Sequence, residues 1–141
     1  AGTNAQEANA AKIGIGEVMS NDAEKKQLNT TVALVATDAD GKIVYSKIDV
    51  AQIYKGVTDT KSELKGKYNM KETSAKAGKI KDGGEWFEQA EFLENYMVEN
   101  NTTEIEMDEN GKAVSEDVLS GCTIGIKDIV EAANQAVKAA K

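Results

Sequence analysis

The apolar positions of this chain change their period several times, and each change marks an element. From residue 13 the run IGIGEVMS alternates apolar and small residues and predicts a short first strand, with Gly14 and Gly16 marking a close backbone approach or an edge. Residues 28–50 contain two β-rich runs, TTVALVAT and KIVYSKIDV, separated by Asp38-Ala39-Asp40-Gly41. Asp and Gly accept the backbone angles of a hairpin loop, so a β-hairpin is expected here. Val32, Leu34 and Ala36 share one face of its first strand, and Val44, Ile48 and Val50 are in phase on the second, so these residues are expected to face the core.

Beyond the hairpin the period lengthens. Residues 55–84 show no strong periodicity and predict a long surface loop or lid. Trp86, Ala90, Leu93 and Met97 then recur at intervals of four and three, with Phe87 and Tyr96 on the flanks, and predict a helix over residues 85–99. TEIEM at residues 103–107 reads as a short alternating strand before a turn at 108–111. A last helix is expected over 128–140, with Ile129, Ala133, Ala136, Val137 and Ala140 as its buried stripe and Asp128 with Glu131 as a capping box. The order hairpin, loop, helix, strand, turn, helix predicts an α+β fold, an antiparallel sheet built around a β-hairpin with two or more helices packed on it. One domain is expected over residues 12–141. Residues 1–11, AGTNAQEANAA, are small and amide-bearing without periodicity and read as a linker or tether.

Composition restricts the chemistry. At 141 residues the chain suits one domain with a real core, and with aromatics at 5% that core is mostly aliphatic. A net charge of −7 argues against nucleic acid, whose phosphates need a basic footprint. All 17 basic residues are Lys and His is 0. That excludes imidazole-activated nucleophiles, histidine metal sites and bidentate arginine clamps, and argues against a stand-alone enzyme. The charge is also uneven: residues 55–84 carry eight Lys against four acidic residues, net +4, leaving −11 for the remainder. Such a segment suits an anionic ligand, with Lys79 and Lys81 best placed. No run of about eighteen apolar residues is present to span a bilayer.

Three local features could carry chemistry. The sequences DADGK and DENGK hint at calcium loops, but around Gly41 the ligand positions fall on Ala36 and Lys47. Around Gly111, Glu106, Asp108, Asn110 and Asp117 are in phase without the preceding helix such a loop requires, and both sequences read as plain turns. Trp86 could stack on a planar ligand, although its place on an apolar stripe points to the core. The densest stretch is residues 113–126, AVSEDVLSGCTIGI, in which Asp117, Ser120, Gly121, Cys122 and Thr123 form Asp-x-x-Ser-Gly-Cys-Thr. Hydroxyls, a glycine and the start of a helix can cradle a phosphate, and the same letters can make a capped turn entering a buried segment. Cys122, the sole cysteine, has apolar neighbours that point to an inert buried thiol.

Taken together, these pieces resemble the FMN-binding domain family of membrane redox-complex subunits and extracytoplasmic flavoprotein lipoproteins. The likeness lies in a Gly-containing first strand, a hairpin turning at Asp40-Gly41-Lys42-Ile43, a glycine loop Ala77-Gly78-Lys79-Ile80 ahead of Glu85-Trp86-Phe87, and a D-x-x-SGAT-like motif at residues 117–123 before an Ala-rich helix. It spans residues 13–141, and only the last motif is specific. The resemblance implies that Thr123 accepts FMN through a phosphoester installed by a separate flavin transferase. Gly121 would give the close turn, Ser120 and Asp117 would position the phosphate or be read by the transferase, and Gly78, Lys79 and Trp86 would border the cofactor. It further implies an electron-transfer domain with redox partners, placed outside the cytoplasm and held to the membrane only through a lipid anchor outside this sequence. Cys122 stands where the family has Ala, and Ile124-Gly125 follow Thr123 in place of a Thr-Ser pair. The alternative on the same fold is a flavin-free binding or interaction module that uses the Lys-rich residues 55–84 for an anionic ligand or partner.

Overall fold

Three antiparallel strands, β1 (Lys12–Asp22), β2 (Gln27–Thr37) and β3 (Ile43–Ile53), form a sheet in the order β1-β2-β3 in the computed structural model, which describes residues 9–141. Six short or medium helical segments complete an α+β fold: α1 (Lys61–Leu64), a 3₁₀ turn (Lys65–Tyr68), α2 (Lys71–Lys76), α3 (Trp86–Glu99), α4 (Glu116–Leu119) and α5 (Lys127–Ala139). Most of the expected linker, residues 1–8, lies outside the described residues, and β1 opens at Lys12.

The phase of β3 sets which face is inward. Ile48 and Val50 are buried and alternate with Lys47 and Asp49; they pair with Ala33 and Thr31, so the odd-numbered residues of β2 line the core. The expectation for Val32, Leu34 and Ala36 is therefore corrected. Val32 and Leu34 are half-buried on the opposite face, and Ala36 is buried beside a register shift at Ala36/Thr37. The β2 segment VALVA is apolar on both faces, so its own alternation could not choose between them. Val44 is only half-buried, and Ile43 takes the core position instead.

On the inner face, α5 lies across β1 and β2 while α3 lies against β3. Gly14 and Gly16 explain the closeness of the first contact. A Cβ at either position would lie inside the carbonyl oxygen of Ala136 or Ala132, so the helix backbone rests directly on the strand. The α5 stripe of Ala132, Ala133 and Ala136, with Ile129 and Val130, supplies the matching small surface, whereas Val137, expected in it, is 36% exposed. The other face of the sheet leaves Ile13, Ile15, Met19 and Ile53 exposed.

On α3 the expected stripe of Trp86, Ala90, Leu93 and Met97 is buried throughout. Glu94 is buried too, and it serves the edge of the sheet. Its Oε2 accepts the Ile48 N–H at 2.7 Å, its backbone carbonyl accepts the Ser46 hydroxyl at 2.8 Å, and Lys47 Nζ lies 3.8 Å from its carboxylate. An edge strand exposes such N–H groups, and a helical carboxylate here takes the place of another strand. Burial raises the Glu94 pKa, with the Ile48 bond and Lys47 opposing the rise.

Residues 55–84 are not one long loop. Thr60 and Glu63 form a reciprocal capping box, Thr60 Oγ1 accepting from Glu63 N at 3.3 Å and Glu63 Oε2 from Thr60 N at 2.7 Å, which starts α1. The Glu85 carboxylate accepts the N–H groups of Met70 and Lys71 at 3.1 and 3.3 Å, tying the start of α2 to that of α3. Two other expectations are corrected. Residues 103–107 alternate in burial at Thr103 and Ile105 but have no neighbouring strand, only a bridge from Met107 to Ala113. The Asp128–Glu131 capping box does not form either, because α5 opens one residue earlier with Ile126 at its N-cap and no side-chain cap.

Candidate functional site

The stretch 113–126 is built by alternation after a short capped helix. Ser115 Oγ accepts the Val118 N–H at 3.4 Å and starts α4, and Ser120, its C-cap residue, donates its hydroxyl to the Asp117 carbonyl oxygen at 2.9 Å. Asp117 and Ser120 are thus linked through the backbone of one helical turn, with the Asp117 side chain exposed. Gly121 is required by packing: a Cβ there would collide with the ring of Phe92. Cys122, Ile124 and Ile126 are buried in the core, whereas Thr123 is half-buried and Gly125 exposed. Burial pushes the Cys122 thiol up to about 12, so it remains a neutral apolar residue at neutral pH.

Thr123 is half-buried and is held by a residue that the sequence reading overlooked. Gln89 Oε1 accepts the Thr123 N–H at 2.8 Å, and the Thr123 hydroxyl lies 3.4 Å from the same oxygen. Gln89 Nε2 donates to the Gly84 carbonyl at 2.9 Å, and the Gly84 N–H donates to Ser74 Oγ at 3.1 Å. A continuous polar chain therefore runs from α2 through the Gly83-Gly84 turn and α3 to Thr123. Gln89 is 1% exposed. The available signal was its spacing, three residues after Trp86 and four before Leu93, which places an amide inside an apolar stripe where it must find buried partners.

The other predicted residues are placed differently. Gly78 and Lys79 lie in an exposed turn after α2, where Gly78 has a left-handed φ of 70°, and no hydrogen bond joins them to Thr123. Trp86 is 3% exposed and belongs to the core, with Lys61 Nζ 5.7 Å from its ring centre. Its edge borders a cleft of about 310 Å³ at one end of the sheet, which also takes in Thr31, Lys61, Gly125 and the start of α5. Asp108, the central member of the calcium pattern, spends Oδ1 on the N–H groups of Asn110 and Lys112 at 2.8 and 3.0 Å. Among the described residues, no group of three or more side chains suited to a metal ion converges.

Chemically, the turn offers the half-buried Thr123 hydroxyl on a fixed backbone, with a long hydrogen bond to the Gln89 amide oxygen and no arginine in the chain. Such a hydroxyl can be modified by another protein's catalysis. No protein-family model, no curated protein and no solved structure matches the chain.

Proposed function

We propose that this chain is an extracytoplasmic electron-transfer domain that carries FMN on Thr123, held at the membrane by a lipid anchor outside this sequence. The observation that carries the reading is that Cys122 and Ile124 are buried while Thr123 between them is only half-buried, with its backbone N–H held by Gln89. Modification would join Thr123 Oγ1 to the FMN phosphorus as that phosphorus loses its leaving group from an activated FMN phosphoanhydride, with the hydroxyl proton passing to a base of the flavin transferase. Bound FMN would supply one- and two-electron redox chemistry for its redox partners. The chain's own part is to hold the attachment residue rigid. Gln89 fixes its backbone, and Phe92 over Gly121 fixes the turn before it. Ser120 and Asp117 shape the turn and do not cradle a phosphate in this reading, since the Ser120 hydroxyl is spent on a carbonyl.

Co-expression with a flavin transferase followed by intact mass measurement tests this. The wild-type chain and Thr123→Ser should gain one FMN and turn yellow, and Thr123→Ala should gain nothing while keeping its circular dichroism. No added mass on the wild-type chain, together with no FMN retained after gel filtration, removes the proposal.

A further inference from the structure

The cleft at the start of α5 carries features that the flavin reading does not use. Its floor is formed by Thr31 of β2 and Val50 of β3, with Trp86 beside them; its rim carries Lys61, Lys127 and Asp128. Thr31 is 3% exposed, and its hydroxyl has no hydrogen-bond partner among the described residues. No fully sealed side-chain oxygen or nitrogen lacks a partner, so the residual exposure of this hydroxyl is onto the cleft. A hydroxyl with no protein partner that opens onto a cleft is available to hydrogen-bond a ligand atom there.

The surroundings specify the ligand's charge. The N-cap of α5, Ile126, provides no side-chain acceptor, so the first N–H groups of this thirteen-residue helix keep their donors and its positive end faces the cleft. Lys61 is held over the rings of Tyr68 and Trp86 at 5.4 and 5.7 Å, and neither Lys61 nor Lys127 forms an ion pair among the described residues. Asp128 is the one carboxylate on the rim, against two ammonium groups and the helix end. Asn29 and Asn110 add side-chain amides, Asn29 Oδ1 being already occupied by Gln27 Nε2 so that its NH₂ remains a donor. The donors outnumber the acceptors, which fits an oxyanion. At about 310 Å³ the cleft is larger than an inorganic ion needs.

We infer that this cleft binds the phosphate group of a small phosphate monoester without a covalent bond, through Lys61, Lys127, the Thr31 hydroxyl and the start of α5. The inference does not rest on flavinylation, because none of these residues is Thr123. Its test uses the Thr123→Ala chain, which cannot be flavinylated at that position. Trp86 is the sole tryptophan and borders the cleft, so its fluorescence reports occupancy.

Titration with glycerol phosphate should give a saturable change in Trp86 emission, and glycerol should give none. Lys127→Gln and Lys61→Gln should each weaken binding by about tenfold, as expected for loss of a charge-assisted hydrogen bond. Thr31→Val, which changes shape little and charge not at all, should weaken it severalfold. Inorganic phosphate saturating at the same concentration would assign the site to the phosphate group alone, and weaker binding would assign part of the affinity to the organic remainder; both support the inference. Absence of saturation, an equal response to glycerol, or unchanged affinity in folded Lys127→Gln and Thr31→Val chains overturns it. Flavinylation failing on the wild-type chain would leave this result untouched.

Discussion

Two turns of this molecule are written in nearly the same letters, Asp38-Ala39-Asp40-Gly41-Lys42 and Asp108-Glu109-Asn110-Gly111-Lys112. Their local geometry is almost identical. In each, the first Asp Oδ1 accepts from the residues two and four positions on, its N–H donates to the Lys carbonyl, and the Gly donates to the Asp carbonyl at 3.1 Å. Both glycines are left-handed, with φ of 87° and 73°. Their surroundings differ. A Cβ on Gly41 would meet nothing within 4 Å, whereas the Gly111 carbonyl accepts the Ile126 N–H at 2.7 Å and a Cβ on Gly111 would lie 3.0 Å from that of Lys127. One turn merely reverses the chain, and the other locks the start of α5 in place and forms a wall of the cleft. A motif of this size dictates its own conformation, and the rest of the fold dictates its use.

The comparison breaks most visibly at the glycines. A β-branched residue at positive φ is strained wherever it sits, so Gly41→Val should lose about 1–2 kcal/mol in urea unfolding. Gly111→Val adds a clash with Lys127 and should lose about 3 kcal/mol or more. Equal losses would show that docking at Gly111 contributes nothing. A smaller effect sharpens the likeness: Asp38→Ala and Asp108→Ala each remove two solvent-exposed hydrogen bonds, and should cost about 1 kcal/mol apiece and agree with one another. If Asp108→Ala costs far more, the turns differ locally after all.

The smallest effect is a background common to all these variants. Burial raises the pKa of Glu94 in the folded chain, so the native state holds a proton that the unfolded chain has already released. This stabilising contribution is fully present below the ordinary glutamate value and is lost as pH rises through the raised folded value. Stability measured by thermal melts should therefore decline across that window in the wild-type chain, and Glu94→Gln should flatten the decline. An unchanged slope in the variant would assign the pH dependence to other groups.

Much of the architecture was readable from period alone. The hairpin of residues 28–50, the stripe of α3 and the existence of α5 rest on patterns long enough to exclude alternatives. The inward face of β2 was not readable, since Val32 to Ala36 is apolar on both sides and only its partner Ile48, flanked by Lys47 and Asp49, breaks the tie. The short helices between residues 60 and 76 were missed because a four- to six-residue helix has no measurable period. The Thr60–Glu63 capping box was the sign that remained. The motif singled out Thr123 as a candidate, while Gln89 beside it and Glu94 at the sheet edge were hidden by their helical neighbours. Polar letters inside an apolar stripe mark buried hydrogen bonds, but their partners lie 34 and 46 residues away in the chain and depend on the fold. The cleft was out of reach for the same reason, since β2, the 61–86 region and the start of α5 meet only in three dimensions.

The bare contact of Gly14 and Gly16 with the α5 backbone sets the order in which the protein can be completed during synthesis. Strand β1 is made about 120 residues ahead of the helix surface that covers it, so its inner face stays open until α5 is synthesised. Side chains could fill such a gap by shifting, but two backbones pressed together cannot. The last helix is therefore the step that turns a partly formed sheet into a closed molecule, and a nascent chain lacking it would be a natural client for a chaperone.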